Sequence, residues 1–352
     1  MDYNWTLKDA DFTKDKGKVF SCFACGGGST MGYKLAGFDV IGCNEIDPKM
    51  INAYKTNHNP KYSYLEPIQD FKDRKDLPKE LYNLDILDGS PPCSSFSMAG
   101  RRDKDWGKNK KFREGQAEQV LDTLFFDFID LAKELQPKVV VAENVKGMLL
   151  GKAKEYVKQI YKDFDAAGYY CQHFLLNAAE MGVPQRRERV FFICIRKDLA
   201  KQFLVQKDMF TIEPKLEMEF AEKPILFKEF AEYGVSDCFK KDGAYMEWWK
   251  VREPHFTSMS ECALKVKGKE TCFSVKFTHL DKTLLTLTRK DRTVCYHEPR
   301  SLTDTEFLKG CTFPSDYNFL NVNKTYLMGM SVPPVMMAKI SEQIYKQWLQ
   351  WI

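Results

Sequence analysis

Apolar runs of strand length alternate with amphipathic stretches through the first half of the chain. Residues 19–24 form a short apolar run that leads into Gly26-Gly27-Gly28, and residues 30–36 can open a helix. Strand-like segments follow at 40–45, 84–87, 139–142 and 190–195, with a helix-like segment at 48–56. Between the last two strands, apolar side chains recur at helical spacing over 121–135 and more weakly over 153–167. This alternation predicts a mostly parallel, doubly wound α/β sheet, whose chemistry sits just past the carboxyl ends of its strands. From about Arg196 to about Arg300 the rhythm stops. That stretch is rich in Lys, Glu and Phe, with short candidate strands at 271–277 and 284–288, and predicts a second, smaller domain. Pro333-Pro334 then precedes an amphipathic run, 335–348, suited to dock back on the first domain. The expected division is 1–196 plus 322–352 for the first domain and 197–321 for the second.

Composition narrows the class. The 352 residues are 44% hydrophobic and 29% charged, enough to bury a core. No stretch reaches the 18 or more apolar residues of a membrane span, and the first residues lack the basic and apolar regions of a secretory signal. Eleven cysteines, an odd number in a chain too large to need staples, read as reduced thiols of a cytoplasmic protein. The net charge is only +4, but residues 101–114 carry seven basic side chains against three acidic ones, equal to the whole excess. A solvated loop explains such a run as well as phosphate contact does, until its position is considered.

The Gly-rich turn lets the backbone approach a ligand closely and presents a helix N-terminus to a polar or anionic group. Seventeen residues on, Glu45 closes the second strand, where a carboxylate can accept hydrogen bonds from both ribose hydroxyls. Together they indicate a nucleoside-containing cofactor, and Asp70 is a candidate acceptor for an adenine amino group. Cys22 and Cys25 form a C-x-x-C, but no second ligand pair stands at zinc spacing and the motif lies inside a triple-glycine turn. No metal is expected.

Three further segments carry chemistry. After the 84–87 strand comes Asp88-Gly89-Ser90-Pro91-Pro92-Cys93-Ser94-Ser95. The prolines hold the turn extended, so Cys93 is delivered rigidly past the sheet edge, next to the basic run, where a thiolate is favoured. Glu143-Asn144-Val145 places an acid directly after a buried strand. Gln185-Arg186-Arg187-Glu188-Arg189 clusters arginines suited to planar recognition of a base or phosphate just before the strand at 190.

These segments, in this order, resemble the cytosine-5 DNA methyltransferases. The resemblance is carried by residues 23–28, Glu45, 89–97, 143–145, 185–189, Arg300-Ser301-Leu302-Thr303-Asp304-Thr305-Glu306 and Gly329-Met330-Ser331-Val332, and spans nearly all the chain except about 197–277. It implies a Rossmann-like catalytic domain and a smaller target-recognition domain. It also implies S-adenosylmethionine as cofactor, held by Phe23, Gly26, Gly27, Gly28, Glu45, Asp70, Pro92, Leu124 and Ser331. Cys93 would add to carbon 6 of a cytosine turned out of the duplex. Glu143 would hold ring nitrogen 3 and the amino group, Arg189 the carbonyl oxygen, and Arg187 the thiolate or that same edge. Ser95, Arg101, Arg102 and Lys104 would face double-stranded DNA. A monomer without membrane or metal partners is implied, associated with the nucleoid. A restriction endonuclease partner, phage self-protection and a regulatory role are equally compatible.

Two positions depart from the family pattern: Cys25 and Met330 stand where glycine and asparagine are usual. Both border the methionine end of the cofactor site in the family. Four rivals share part of the pattern. An amino-methyltransferase needs a stacking ring where Cys93 stands. A transfer-RNA cytosine methyltransferase shares the motifs, and a dedicated region after Arg196 favours DNA over it. A silent DNA-binding relative has no need of intact Cys93, Glu143 and Arg189. A dinucleotide oxidoreductase leaves the later motifs unexplained.

Overall fold

The structure is a computed structural model that describes residues 2–92, 109–110, 119–120, 123–151, 153–208, 212–235 and 238–352. Cys93, Ser95, Arg101, Arg102 and Lys104 lie outside the described residues, as does most of the basic run.

Seven strands form one sheet: β1 (Lys18–Cys22), β2 (Asp39–Glu45), β3 (Tyr62–Leu65), β4 (Ile86–Gly89), β5 (Val139–Val145), β6 (Tyr169–Asn177) and β7 (Glu188–Arg196), in the order β3-β2-β1-β4-β5-β7-β6. The first five pair in parallel, and β7 runs antiparallel to both its neighbours. The central strands are apolar on successive residues because both faces of a parallel sheet are covered. Phe20, Leu87, Val140 and Phe192 point to one layer, built by α3 (Ile68–Lys72), α4 (Leu124–Leu135) and α5 (Ala153–Ala166). Their neighbours Val19, Ile86, Val139, Val141 and Ile193 point to the other, built by α1 (Gly28–Leu35) and α10 (Pro334–Gln347). The sheet is doubly wound, as the sequence predicts.

The two outermost strands and one direction differ from expectation. β3 and β6 are edge strands with mixed, half-exposed side chains, so neither carries a strong apolar signature. Only ten residues separate Asn177 from Glu188, fewer than the dozen or more that a parallel crossover needs, so β7 returns antiparallel.

Packing after Arg196 is more entangled than a two-domain division suggests. Ala200, Leu216 and Met218 side with α10 against the sheet, and the Trp348 indole donates to the Lys215 carbonyl at 2.8 Å. A separate small core surrounds α6 (Ala244–Lys250) and α7 (Met259–Lys267), with Trp248, Met259, Val275, Phe277 and Val294. The expected strands there shrink to two-residue ladders at Phe277–Thr278 and Leu284–Leu285. A third cluster joins this lobe to the first: Phe227, Leu284, Phe307 and Tyr317 pack with Met31 of α1 and with Met50 and Ala53 of α2 (Pro48–His58). The N-terminal Trp5 closes it, donating to the Thr312 carbonyl.

A buried ion pair ties the second lobe together. Arg300 is 1% exposed and donates to both carboxylate oxygens of Glu306 at 2.8 and 2.9 Å, to Glu298 and to the Glu232 carbonyl. Glu306 opens α8 (Asp304–Gly310) in a capping box with Thr303. Arg300→Ala would strand that carboxylate in the interior, so it is expected to cost about 3–5 kcal/mol. A lowered urea midpoint at unchanged slope is the measurement.

Candidate functional site

At the carboxyl end of β1 the chain turns through Phe23 and Cys25, both at positive φ, into the glycines that start α1. Gly27 has φ +84°, and a Cβ there would sit 2.2 Å from the His58 ring, so both conformation and space demand glycine. Gly28 lies so close to the Val332 carbonyl that a side chain would meet it at 2.3 Å. The Gly26 carbonyl accepts from the Tyr317 hydroxyl at 2.6 Å and meets the His58 ring at 3.2 Å. Burial, with Lys34 nearby, pushes the His58 pKa down to about 3, so the ring is neutral. The turn is thus clamped by α2 and by the far end of the chain.

Glu45 closes the cradle from β2. One carboxylate oxygen accepts from the Cys25 amide at 2.7 Å, the other from the Ile46 and Asp47 amides at 2.9 Å. Burial raises its pKa, and these amides pull against that rise. Beside it opens a narrow cavity of about 90 Å³. Phe23, Glu45 and Pro92, three of the residues named from the sequence, line it together with Cys25, Met50 and Met330. Ile46 and Tyr326 also line it; no periodicity or motif singled them out.

Other expected cofactor residues stand elsewhere. Asp70 is exposed on α3, and Leu124 is fully buried in the core at the start of α4. The Ser331 hydroxyl is turned to the Leu327 carbonyl of α9 (Lys324–Met330), while Gly26, Gly27 and Gly28 form the packed back of the turn.

The acid and one arginine meet at the same sheet edge. Glu143 near the end of β5 and Arg189 at the start of β7 form an ion pair, Nε to Oε1 2.9 Å, with side chains only 13% and 15% exposed. Next to Glu143, the Asn144 side chain donates to the Pro91 carbonyl at 3.1 Å. The Pro91-Pro92 turn is therefore hung beside the acid, and Pro92 is the last described residue before Cys93. The motifs gave Asn144 no positioning role; its signal is a buried amide at a strand's carboxyl end.

With this geometry in hand, comparison with known proteins is decisive for the family. The family model described as C-5 cytosine-specific DNA methylase matches residues 17–346. The chain belongs to that family. Similar proteins include the Type II methyltransferase M.FnuDI of Fusobacterium nucleatum, 40% identical over 182 residues, which are 52% of this chain and 48% of that one. The Type II methyltransferase M.NgoPII of Neisseria gonorrhoeae is 38% identical over 199 residues, 56% of this chain and 53% of that one. The chain spans about half the length of these curated relatives. In fold it resembles a prophage-encoded chain of E. coli, with TM-score 0.64 and 22% identity over 94% of this chain and 99% of that one. It also resembles Spodoptera frugiperda DNMT2, with TM-score 0.60 and 18% identity over 93% and 99%.

In this chain, Arg187, for which the resemblance implied a place at the thiolate or the base edge, is held by backbone. It is fully buried, and its guanidinium donates to the carbonyls of Leu287, Gly329 and Ser331 at 3.0–3.1 Å. These bonds tie it to backbone of the second lobe and of the end of α9, while its buried Nε has no hydrogen-bond partner among the described residues. Burial, with repulsion from Arg189, pushes its pKa down to about 9.

Asp88, at the foot of the Pro-Pro turn, is a buried acid that no motif flagged. It accepts from the Ser21 hydroxyl at 2.7 Å and the Tyr33 hydroxyl at 3.2 Å, joining β1, α1 and β4. Burial, with Glu143 nearby, pushes its pKa up to about 7 against those hydrogen bonds. The folded protein therefore keeps a proton that the unfolded chain has released. Stability is expected to fall as pH rises from about 4 to about 7, and Asp88→Asn to remove that loss. Urea titrations of both proteins at pH 5 and pH 8 measure it; an equal pH dependence in the variant rejects the assignment.

Proposed function

We propose that this chain is a DNA cytosine-5 methyltransferase that uses S-adenosylmethionine, acting as a cytoplasmic monomer on double-stranded DNA. The observation that carries the proposal is the Glu143–Arg189 pair at the sheet's carboxyl edge, with the turn leading to Cys93 tied to the neighbouring Asn144. The chemistry of the lining suits a nucleoside: Phe23 and Pro92 give apolar walls, and Glu45 supplies an acceptor fixed by three amides. Phe23, Glu45 and Pro92 would hold the cofactor, with Cys25 and Met330 narrowing the site. When bound, S-adenosylmethionine supplies an electrophilic methyl group.

Carbon 5 of cytosine is a poor nucleophile, and addition of the Cys93 thiolate to carbon 6 makes it enamine-like. Glu143 holds nitrogen 3 and the amino group and stabilises the adduct with its proton; an acid in such a role contributes about 10²–10⁴-fold. Arg189 holds the carbonyl oxygen, and its partner Glu143 fixes its direction before the base arrives. Loss of the carbon-5 proton afterwards expels the thiol. The base must first leave the stack, at about a few kcal/mol, and the basic segment with Ser95, Arg101, Arg102 and Lys104 offsets that cost by contacting phosphates. A restriction endonuclease partner fits this reading, as does phage self-protection; relatives include Type II enzymes and an orphan methyltransferase of Bacillus phage rho11s.

Sequencing methylated bases in DNA from a host that expresses the protein tests the activity. Cys93→Ser is expected to bind cofactor and DNA and yet leave genomic cytosines unmethylated; methylation by that variant would overturn the covalent route. The wild type is expected to form a gel-shifted adduct with DNA carrying 5-fluorocytosine, because fluorine cannot leave as a cation. Neutralising Arg101, Arg102 and Lys104 is expected to flatten the salt dependence of DNA affinity by about 0.9 log units for each phosphate that the variant no longer neutralises. An unchanged slope would return that segment to the solvated surface.

A further inference from the structure

A second cleft opens between the two lobes. On one wall stand Glu180, just past the end of β6, and Arg186, on the Gln-Arg-Arg-Glu-Arg segment; on the other stand Thr257, Thr278 and His279 of the second lobe. Because β6 runs parallel to β5, its carboxyl end lies on the same sheet edge as Glu143. Arg186 is three residues from Arg189, about 10 Å at 3.3 Å per extended residue. That is about three nucleotide steps along a stacked strand at 3.4 Å each. The cleft encloses about 590 Å³, inside the small-ligand range of about 300–1,000 Å³ and ample for one nucleobase.

Its chemistry selects what enters. Arg186 and Lys282 are balanced by Glu180 and Asp281 around the rim, which disfavours a phosphate group. Leu226 and Leu285 add apolar surface, and the Thr278 hydroxyl is buried without a hydrogen-bond partner among the described residues. A neutral aromatic heterocycle with polar edges matches that set. The His279 ring that lines the cleft is stacked on Tyr296 with centroids 4.4 Å apart and planes 22° apart. The Arg252 guanidinium lies over Tyr296 at 4.9 Å and over Trp249 at 3.2 Å, and its Nε donates to the Tyr296 carbonyl. His279 is thus the end of a rigid ladder, Trp249–Arg252–Tyr296–His279, that stops at the cleft. Among the described residues Arg186 meets no carboxylate.

We propose that this cleft is a nucleobase site, which takes one unstacked base of the DNA substrate within about three nucleotides of the methylated cytosine and stacks it on His279. The site rests on the methyltransferase reading and extends it: a second base held outside the duplex makes room for the first to leave. One base–aromatic contact is worth roughly tenfold in affinity.

The test uses the full chain and a duplex containing the methylated position found by genomic sequencing. Each flanking nucleotide within three steps is replaced singly by an abasic site. At one position the abasic duplex is expected to raise KM roughly tenfold. His279→Ala on intact DNA is expected to do the same, and the two together no more than either alone. Arg186→Ala, on the exposed opposite wall, is expected to raise KM with the same non-additivity and does not disturb the ladder. 5-Iododeoxyuridine at that position is expected to photocrosslink to His279. Effects that multiply to about a hundredfold, an unchanged KM in both variants, or crosslinks confined to other residues would overturn the site. Absence of any cytosine methylation would instead sink the reading on which it rests.

Discussion

The antiparallel placement of β7 is the constraint on which the edge carrying Glu143 and Arg189 depends. A parallel strand in that position would carry Arg189 to the opposite rim of the sheet, about 25–30 Å away for nine residues at 3.3 Å each. Running backwards, β7 starts where β5 ends, and Arg189 meets Glu143 across the ladder at 2.9 Å. The pair is mostly withdrawn from water, so its desolvation is expensive and its net stability small. What it provides is direction: a carboxylate and a guanidinium already aimed along one edge before any base arrives.

The same edge is assembled from both ends of the chain. The Gly-rich turn leaves β1, yet its carbonyl is held by Tyr317, and its glycines press on His58, Leu327 and Val332. Arg187 extends this linkage, because its three carbonyl partners belong to Leu287 in the second lobe and to Gly329 and Ser331 beside the cavity. A movement of the second lobe therefore pulls on the backbone behind both the Glu143–Arg189 pair and the Gly-rich turn. Asp88 secures the floor by tying β1, α1 and β4 under the Pro-Pro turn.

Much of this was legible beforehand. The central strands announced themselves as apolar runs because both faces of a parallel strand are buried, and their carboxyl ends carried the motifs, as doubly wound sheets require. Glu45 reaches the cavity as its spacing from the glycines predicts, and Phe23 and Pro92 do so because each follows a strand whose carboxyl end opens on that edge. Edge strands β3 and β6 were not legible: with water on one side, their polar positions look like loop.

The sequence by itself determined the sheet, its winding and the set of chemical groups at its edge, because these follow from residue type and short-range period. Tertiary structure decided which of those groups face outward. Arg187 and Arg189 are two residues apart and chemically identical, yet one is locked on three carbonyls in the interior and the other meets the acid at the sheet edge. Likewise Leu124 is absorbed into the core and Asp70 is left in solvent, while Asn144 and Asp88 prove to be structural anchors. Those outcomes depend on partners about 50 to 150 residues away along the chain, as the separations of Asn144 from Pro91 and of Arg187 from Ser331 show, and no local pattern of polarity encodes them.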